Sequence, residues 1–138
     1  MSIKRIEIAV GIIINSERNI FITQRQKGSH LADFWEFPGG KVETALGESP
    51  QQALHRELNE EVGISVARSE LLTTLEYDYP DRQLKLHFFM VDDWQGEPKG
   101  CEGQLSRWVN ISQLDVDQFP EANRPIIALL KRQAAQAE

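Results

Sequence analysis

Apolar and polar positions fall into short alternating blocks over most of the chain, and the period changes only twice. Residues 6–14 (IEIAVGIII) are β-branched and apolar almost throughout, the pattern of a buried strand. A polar, turn-like stretch at 15–19 precedes residues 20–23 (IFIT), which read as the returning strand. Residues 24–35 are polar and loop-like, with Arg25, His30 and Trp35 among them. Residues 71–79 and 84–91 form two more strand candidates around Pro80-Asp81-Arg82-Gln83, a hairpin-like connection, and 106–111 (SRWVNI) form another.

The first change of period comes at Ser49. Ser49 predicts an N-cap, Pro50 the first helical position, and Gln52 the second half of a capping box. Gly63 predicts the stop. Over this helix Leu54, Leu58 and Val62 share one inward stripe. The second change lies in the tail, 124–135. There Ile126, Ile127, Leu129 and Leu130 recur at helical spacing, and Lys131 and Arg132 complement the dipole at the end. Strands dominate, with one central and one terminal helix. That predicts an α/β fold, a mixed sheet sandwiched between helices (α/β/α), in a single domain over residues 1–138. The three tryptophans, Trp35, Trp94 and Trp108, are assigned to packing.

Composition narrows the function classes. No apolar run approaches the roughly 18 residues of a membrane span. Met1–Arg5 leads straight into a strand-like stretch, with none of the apolar core of a signal peptide. Cys101 is the one cysteine, so no intrachain disulfide forms; together these features predict a cytoplasmic protein. A net charge of −6 argues against direct nucleic-acid binding.

Part of that negative charge sits where a helix tolerates it badly. Glu57, Glu60 and Glu61 lie beside the apolar stripe at i, i+3 and i+4, where like charges each cost a few tenths of a kcal/mol. Glu60 and Glu61 also occupy the last turn, the end at which the dipole disfavours anions. A solvated acidic face is one explanation. The other is a hard divalent cation with oxygen ligands, usually Mg²⁺ where phosphates complete the shell, with Mn²⁺ as a substitute. The preceding Phe37-Pro38-Gly39-Gly40-Lys41 favours the second, because paired glycines let backbone approach a ligand closely.

These residues resemble the Nudix hydrolase motif. From Glu48 the match is complete: seven residues follow, then Arg56-Glu57-Leu58-Asn59-Glu60-Glu61-Val62-Gly63-Ile64. Between Gly40 and Glu48, however, stand seven residues where the motif has five, so two extra residues within Glu43–Gly47 are expected to bulge outward. Beyond the motif, further stretches are similar to the branch of the family that removes oxidised guanine nucleotides. They include Glu36-Phe37-Pro38-Gly39-Gly40, Leu75-Glu76-Tyr77, Pro80-Asp81-Arg82, Glu102-Gly103-Gln104 and Ala122-Asn123.

The resemblance implies hydrolysis of 8-oxo-dGTP to the monophosphate and pyrophosphate. It implies a metal site of Glu57, Glu60, Glu61 and a Gly39 or Gly40 carbonyl, joined by Glu102 from a loop. Glu57 and Glu102 are both candidates for the base, Arg56 orients Glu57, and Glu48 orients both. Arg25, His30, Glu36, Phe37, Pro38, Gly39, Arg82 and Asn123 are implied around the nucleotide, with Ile6 and Ile8 as apolar wall and Asn123 reading the guanine edge. The expected partner is a free nucleotide and the expected state a monomer. Two other readings stay open: a Nudix enzyme for ADP-ribose, a dinucleoside polyphosphate or undamaged dNTPs, and a nucleotide sensor without catalysis.

Overall fold

A computed structural model of the chain describes residues 5–26, 28 and 32–136. Strand β1 (Ile6–Ile13) lies inside a four-stranded mixed sheet of order β4-β1-β6-β5. It pairs in parallel with β6 (Arg82–Gln95), from Ile6 opposite Leu84 to Ile13 opposite Val91, and antiparallel with the short edge strand β4 (Gly39–Lys41). β5 (Ser65–Tyr79) forms the other edge, antiparallel to β6 across the two-residue turn Pro80–Asp81. A second, antiparallel sheet of order β3-β2-β7 joins β2 (Asn19–Gln24) to β3 (Trp35–Glu36) and β7 (Ser106–Asn110).

Helix α1 (Pro50–Val62) and helix α2 (Arg124–Gln136) bury different apolar sets. The period of two along β1 divides them. Ala9 and Ile13 face α1, where Leu54, Leu58, Val62, Phe89 and Val91 complete one core. Val10 and Ile12 face the other way, towards Leu86, Phe88, Phe119 and the α2 residues Ile126, Ile127 and Leu130. Each face of the sheet is therefore covered, as the patterning predicts for a mixed sheet between two helices. No described helix is long and apolar enough to cross a membrane.

The differences from the expected elements have local causes. β5 begins at Ser65, not at residue 71, because register shifts between Val66 and Arg68, Arg68 and Ser69, and Leu71 and Thr73 break its alternation. β3 and β4 span two and three residues, too short to show any period. Ile14, read as the end of the first strand, makes only an isolated bridge to Ile20.

Candidate active site

Helix α1 is capped as its sequence predicts. The Ser49 side chain accepts from the Gln52 amide at 3.1 Å, and the Gln52 side chain accepts from the Ser49 amide at 2.8 Å. Such a cap contributes about 1 kcal/mol. Gly63 ends the helix at a φ of 75°, where a side chain would be strained. With Leu54, Leu58 and Val62 wholly buried, the rotation of α1 is fixed, and Arg56, Glu57, Glu60 and Glu61 emerge on the flank facing β4.

Arg56 is the hub of that flank. Its guanidinium donates to both oxygens of Glu48 at 2.8 and 3.0 Å, to Glu57 at 2.8 Å, and to the Lys41 carbonyl at 3.0 Å. Glu60 lies at the limit of contact, 3.5 Å away, with its side chain 58% exposed. Hydrogen bonds from Arg56 and from the Glu43 amide hold the Glu48 carboxyl down at a pKa of about 2. The Glu48 and Glu57 bonds in turn raise Arg56 above its ordinary value. The two extra residues leave this arrangement intact. Thr44–Leu46 form a single 3₁₀ turn that pushes Leu46 into solvent, 83% exposed, while Glu48 still reaches Arg56.

On the sheet side, β4 presses against the carboxylates. A Cβ at Gly40 would lie 2.2 Å from the Glu57 carboxyl carbon, so glycine is what lets Glu57 stand there. The Gly39 amide donates to Glu61 at 3.4 Å. Burial, then the charges of Glu57, Glu36 and Glu102, push the Glu61 carboxyl up to about 8. Glu57 is raised as well, by burial first, although Arg56 opposes the shift.

Glu102 reaches this group from an exposed turn. The Cys101 amide donates to the Glu61 carbonyl at 3.0 Å and the Lys99 amide to the Val62 carbonyl at 3.1 Å. The turn thus satisfies two carbonyls that the end of α1 leaves without helical partners. That pairing brings Glu102 beside Glu61, and with Gln26 and Gln104 they line one acidic cleft. Oxygen donors of this kind suit a hard divalent cation. Among the described residues, no three potential ligand side chains already converge as a closed cage.

The cleft continues into an apolar cavity, and Arg25, Glu36 and Gly39 line both. The floor of the cavity is Ile8, Val10, Leu84 and Leu86, on the α2 side of the sheet. Phe37, buried and 5.3 Å from Phe119 between ring centroids, forms one wall. Arg82 and Asn123 stand at its border. The Arg25 guanidinium donates to Glu36 at 2.8 Å, yet burial keeps the Glu36 pKa above its usual value. The Arg82 Nε is buried with no hydrogen-bond partner among the described residues.

Arg25, Glu36, Phe37, Gly39, Arg82 and Asn123 are thus gathered round one space. Pro38 is not on it; its carbonyl accepts from the Gly11 amide at 2.8 Å, inside the sheet. Ile8 lines the cavity, whereas Ile6 packs against the adjoining core. His30 lies outside the described residues. Tyr79, absent from the residues implied by the motif, also lines the cavity. The alternation that sets Tyr77 and Tyr79 on one face of β5, beside the Pro80–Asp81 turn, was the available signal.

The sequence model of the NUDIX domain matches residues 9–129. The chain belongs to the Nudix family. Among its Nudix relatives, the 8-oxo-dGTP diphosphatase of Escherichia coli (strain K12) is 51% identical over 129 residues, covering 94% of this chain and 98% of that protein. The 8-oxo-dGTP diphosphatase of Haemophilus influenzae is 46% identical over 127 residues, covering 92% of each. A solved structure from work on MutT of Aliivibrio salmonicida and Vibrio cholerae superposes with a TM-score of 0.77. It is 44% identical and covers 93% of this Nudix chain and 97% of its own.

Proposed function

We propose that this chain is an 8-oxo-dGTP diphosphatase, hydrolysing the triphosphate to the monophosphate and pyrophosphate and so clearing oxidised guanine from the nucleotide pool. Identity of 51% across 94% of the chain to a relative of that name supports the reading. The geometric observation that carries it is the continuity of an apolar cavity bordered by Asn123 with an acidic cleft holding Glu61 and Glu102. One end suits a flat base and the other a cation-bound polyphosphate.

In this reading Mg²⁺ is held by Glu57 and Glu61 with Glu102, Glu60 and a Gly39 or Gly40 carbonyl completing the donors, and Mn²⁺ is an alternative. The donor set fits, since all the ligands are oxygens and, among the described residues, the half-buried Glu61 has no ion pair while Glu57 has Arg56. When bound, the cation supplies charge neutralisation on the phosphates and a more acidic water. Glu57 or Glu102 takes the water's proton, and Arg56, fixed by Glu48, holds the Glu57 carboxylate in place. Arg25, which lines both spaces, offers charge to the phosphates, Arg82 borders the base cavity, and the Asn123 amide offers a donor and an acceptor to the guanine edge. The enzyme acts on free nucleotides, as a monomer, in the cytoplasm.

The test is steady-state hydrolysis of 8-oxo-dGTP beside dGTP, ADP-ribose and a dinucleoside polyphosphate with Mg²⁺, scoring pyrophosphate against phosphate. The expected result is pyrophosphate release with a lower KM for 8-oxo-dGTP than for dGTP. Preference for one of the other substrates would overturn the assignment, and nucleotide binding without turnover would make the protein a sensor.

A further inference from the structure

The segment that carries Asn123 is a single 3₁₀ turn, Glu121–Asn123, preceded by Pro120. The first amides of such a turn have no acceptor within it. A serine or aspartate before the turn would supply a side-chain oxygen, but Pro120 has none, and no side-chain cap is present. The acceptor comes instead from another element. The Tyr79 hydroxyl, at the end of β5, accepts from the Ala122 amide at 3.1 Å. Tyr77, two residues earlier on the same face and 4.8 Å away between ring centroids, donates its hydroxyl to Glu121 on the exposed side. The Tyr79 ring, Ala122 and Asn123 all line the nucleotide cavity.

Resting on the guanine-nucleotide reading above, we propose that the Tyr79 hydroxyl is a specificity-determining positioning group: by capping the Ala122 amide from β5, it fixes where Asn123 stands relative to the base. Asn123 is one residue beyond the capped amide, so a shift of the turn passes directly to its side chain. A hydrogen-bonding readout depends on sub-ångström placement, whereas among the described residues the carboxylate cluster beside α1 shares no hydrogen bond with this turn. The hydroxyl therefore acts on substrate choice and binding, not on the chemical step.

Tyr79→Phe keeps the ring and removes the hydroxyl that accepts from the Ala122 amide. The expected result is a loss of about five- to tenfold in the ratio of kcat/KM for 8-oxo-dGTP over dGTP, the size of one well-placed hydrogen bond. KM for 8-oxo-dGTP carries the change while kcat stays within about twofold, and faster hydrogen exchange at the Ala122 amide accompanies it. Tyr77→Phe, which releases the outer contact, is expected to keep the ratio within about twofold. An unchanged ratio in Tyr79→Phe, a loss carried by kcat, or an equal loss in both variants would overturn the proposal. A wild-type enzyme with no preference for 8-oxo-dGTP would instead defeat the substrate reading on which the proposal stands. A preference retained in Tyr79→Phe defeats the capping role alone.

Discussion

Glu61 has the most strained electrostatic position in the cleft, half-buried and facing the charges of Glu57, Glu36 and Glu102, with the Gly39 amide as its hydrogen-bond donor. A cation would remove that conflict, so the role assigned to Glu61 is open to a direct test. Glu61→Gln keeps the size and one oxygen but loses the charge. Mg²⁺-dependent turnover is expected to fall by about a hundredfold or more with the fold intact by circular dichroism, and near-normal kcat would sink the metal assignment. Asn123 belongs to the other end of the site. Asn123→Ala is expected to lower the preference for 8-oxo-dGTP over dGTP by about tenfold or more, because a base edge then loses its hydrogen-bonding partner; equal kcat/KM ratios in wild type and variant would remove Asn123 from base reading. At this scale the acidic helix was legible in the sequence, since three carboxylates at helical spacing are a local pattern. The capping of Ala122 by Tyr79 was not, because it joins residues 43 positions apart that only the fold brings together.

At the scale of elements, the close contact between β4 and α1 ties Gly40 to the placing of the Glu57 carboxyl. An added Cβ would meet the Glu57 carboxyl at 2.2–2.6 Å, and that carboxyl is the far end of a flexible side chain. The chain yields by swinging Glu57 away, which costs little stability but displaces a candidate ligand and base. Gly40→Ala is therefore expected to shift Tm by no more than a few degrees while lowering kcat by about ten- to a hundredfold. A large loss of Tm with kcat per folded molecule preserved would show that the glycine serves packing alone. The caps and apolar stripe of α1 made its ends readable, and the complete motif from Glu48 onward pointed to the family. β4 was less readable: three residues hold no period, and their strand pairing comes from β1, some thirty positions away. The outward turn at Thr44–Leu46 follows the expectation for a surface insertion, and the Glu48–Arg56 contact across it survives because both partners are anchored at α1 and its cap.

For the whole molecule, the site runs round the free edge of the sheet. The apolar cavity lies on the α2 face, the carboxylates lie on the α1 face, and Gly39 on β4 belongs to both. Three carboxyls along this path, Glu36, Glu57 and Glu61, have pKa values raised above those of the unfolded chain, Glu61 to about 8. A raised carboxyl favours folding when protonated, so its contribution is fully present below the unfolded value near 4.5 and is lost as pH rises through the folded value. Glu48, held down at about 2, has the opposite sign, but its contribution is lost only below pH 4.5 and lies outside that window. Metal-free protein is thus expected to be most stable near pH 5 and to lose stability as pH rises through about 8, Glu61 contributing about 2 kcal/mol of that loss after allowance for solvent screening. A bound cation favours the ionised carboxylates and reverses this term, so saturating Mg²⁺ should raise Tm more at pH 8.5 than at pH 6. Thermal melts from pH 5.5 to 9, with EDTA and with Mg²⁺, on wild type and Glu61→Gln, decide the matter. The variant should show a flatter metal-free profile and a smaller gain from Mg²⁺. Parallel profiles for the two proteins would mean that the acidic edge is solvated and that its charge is not what the cation answers.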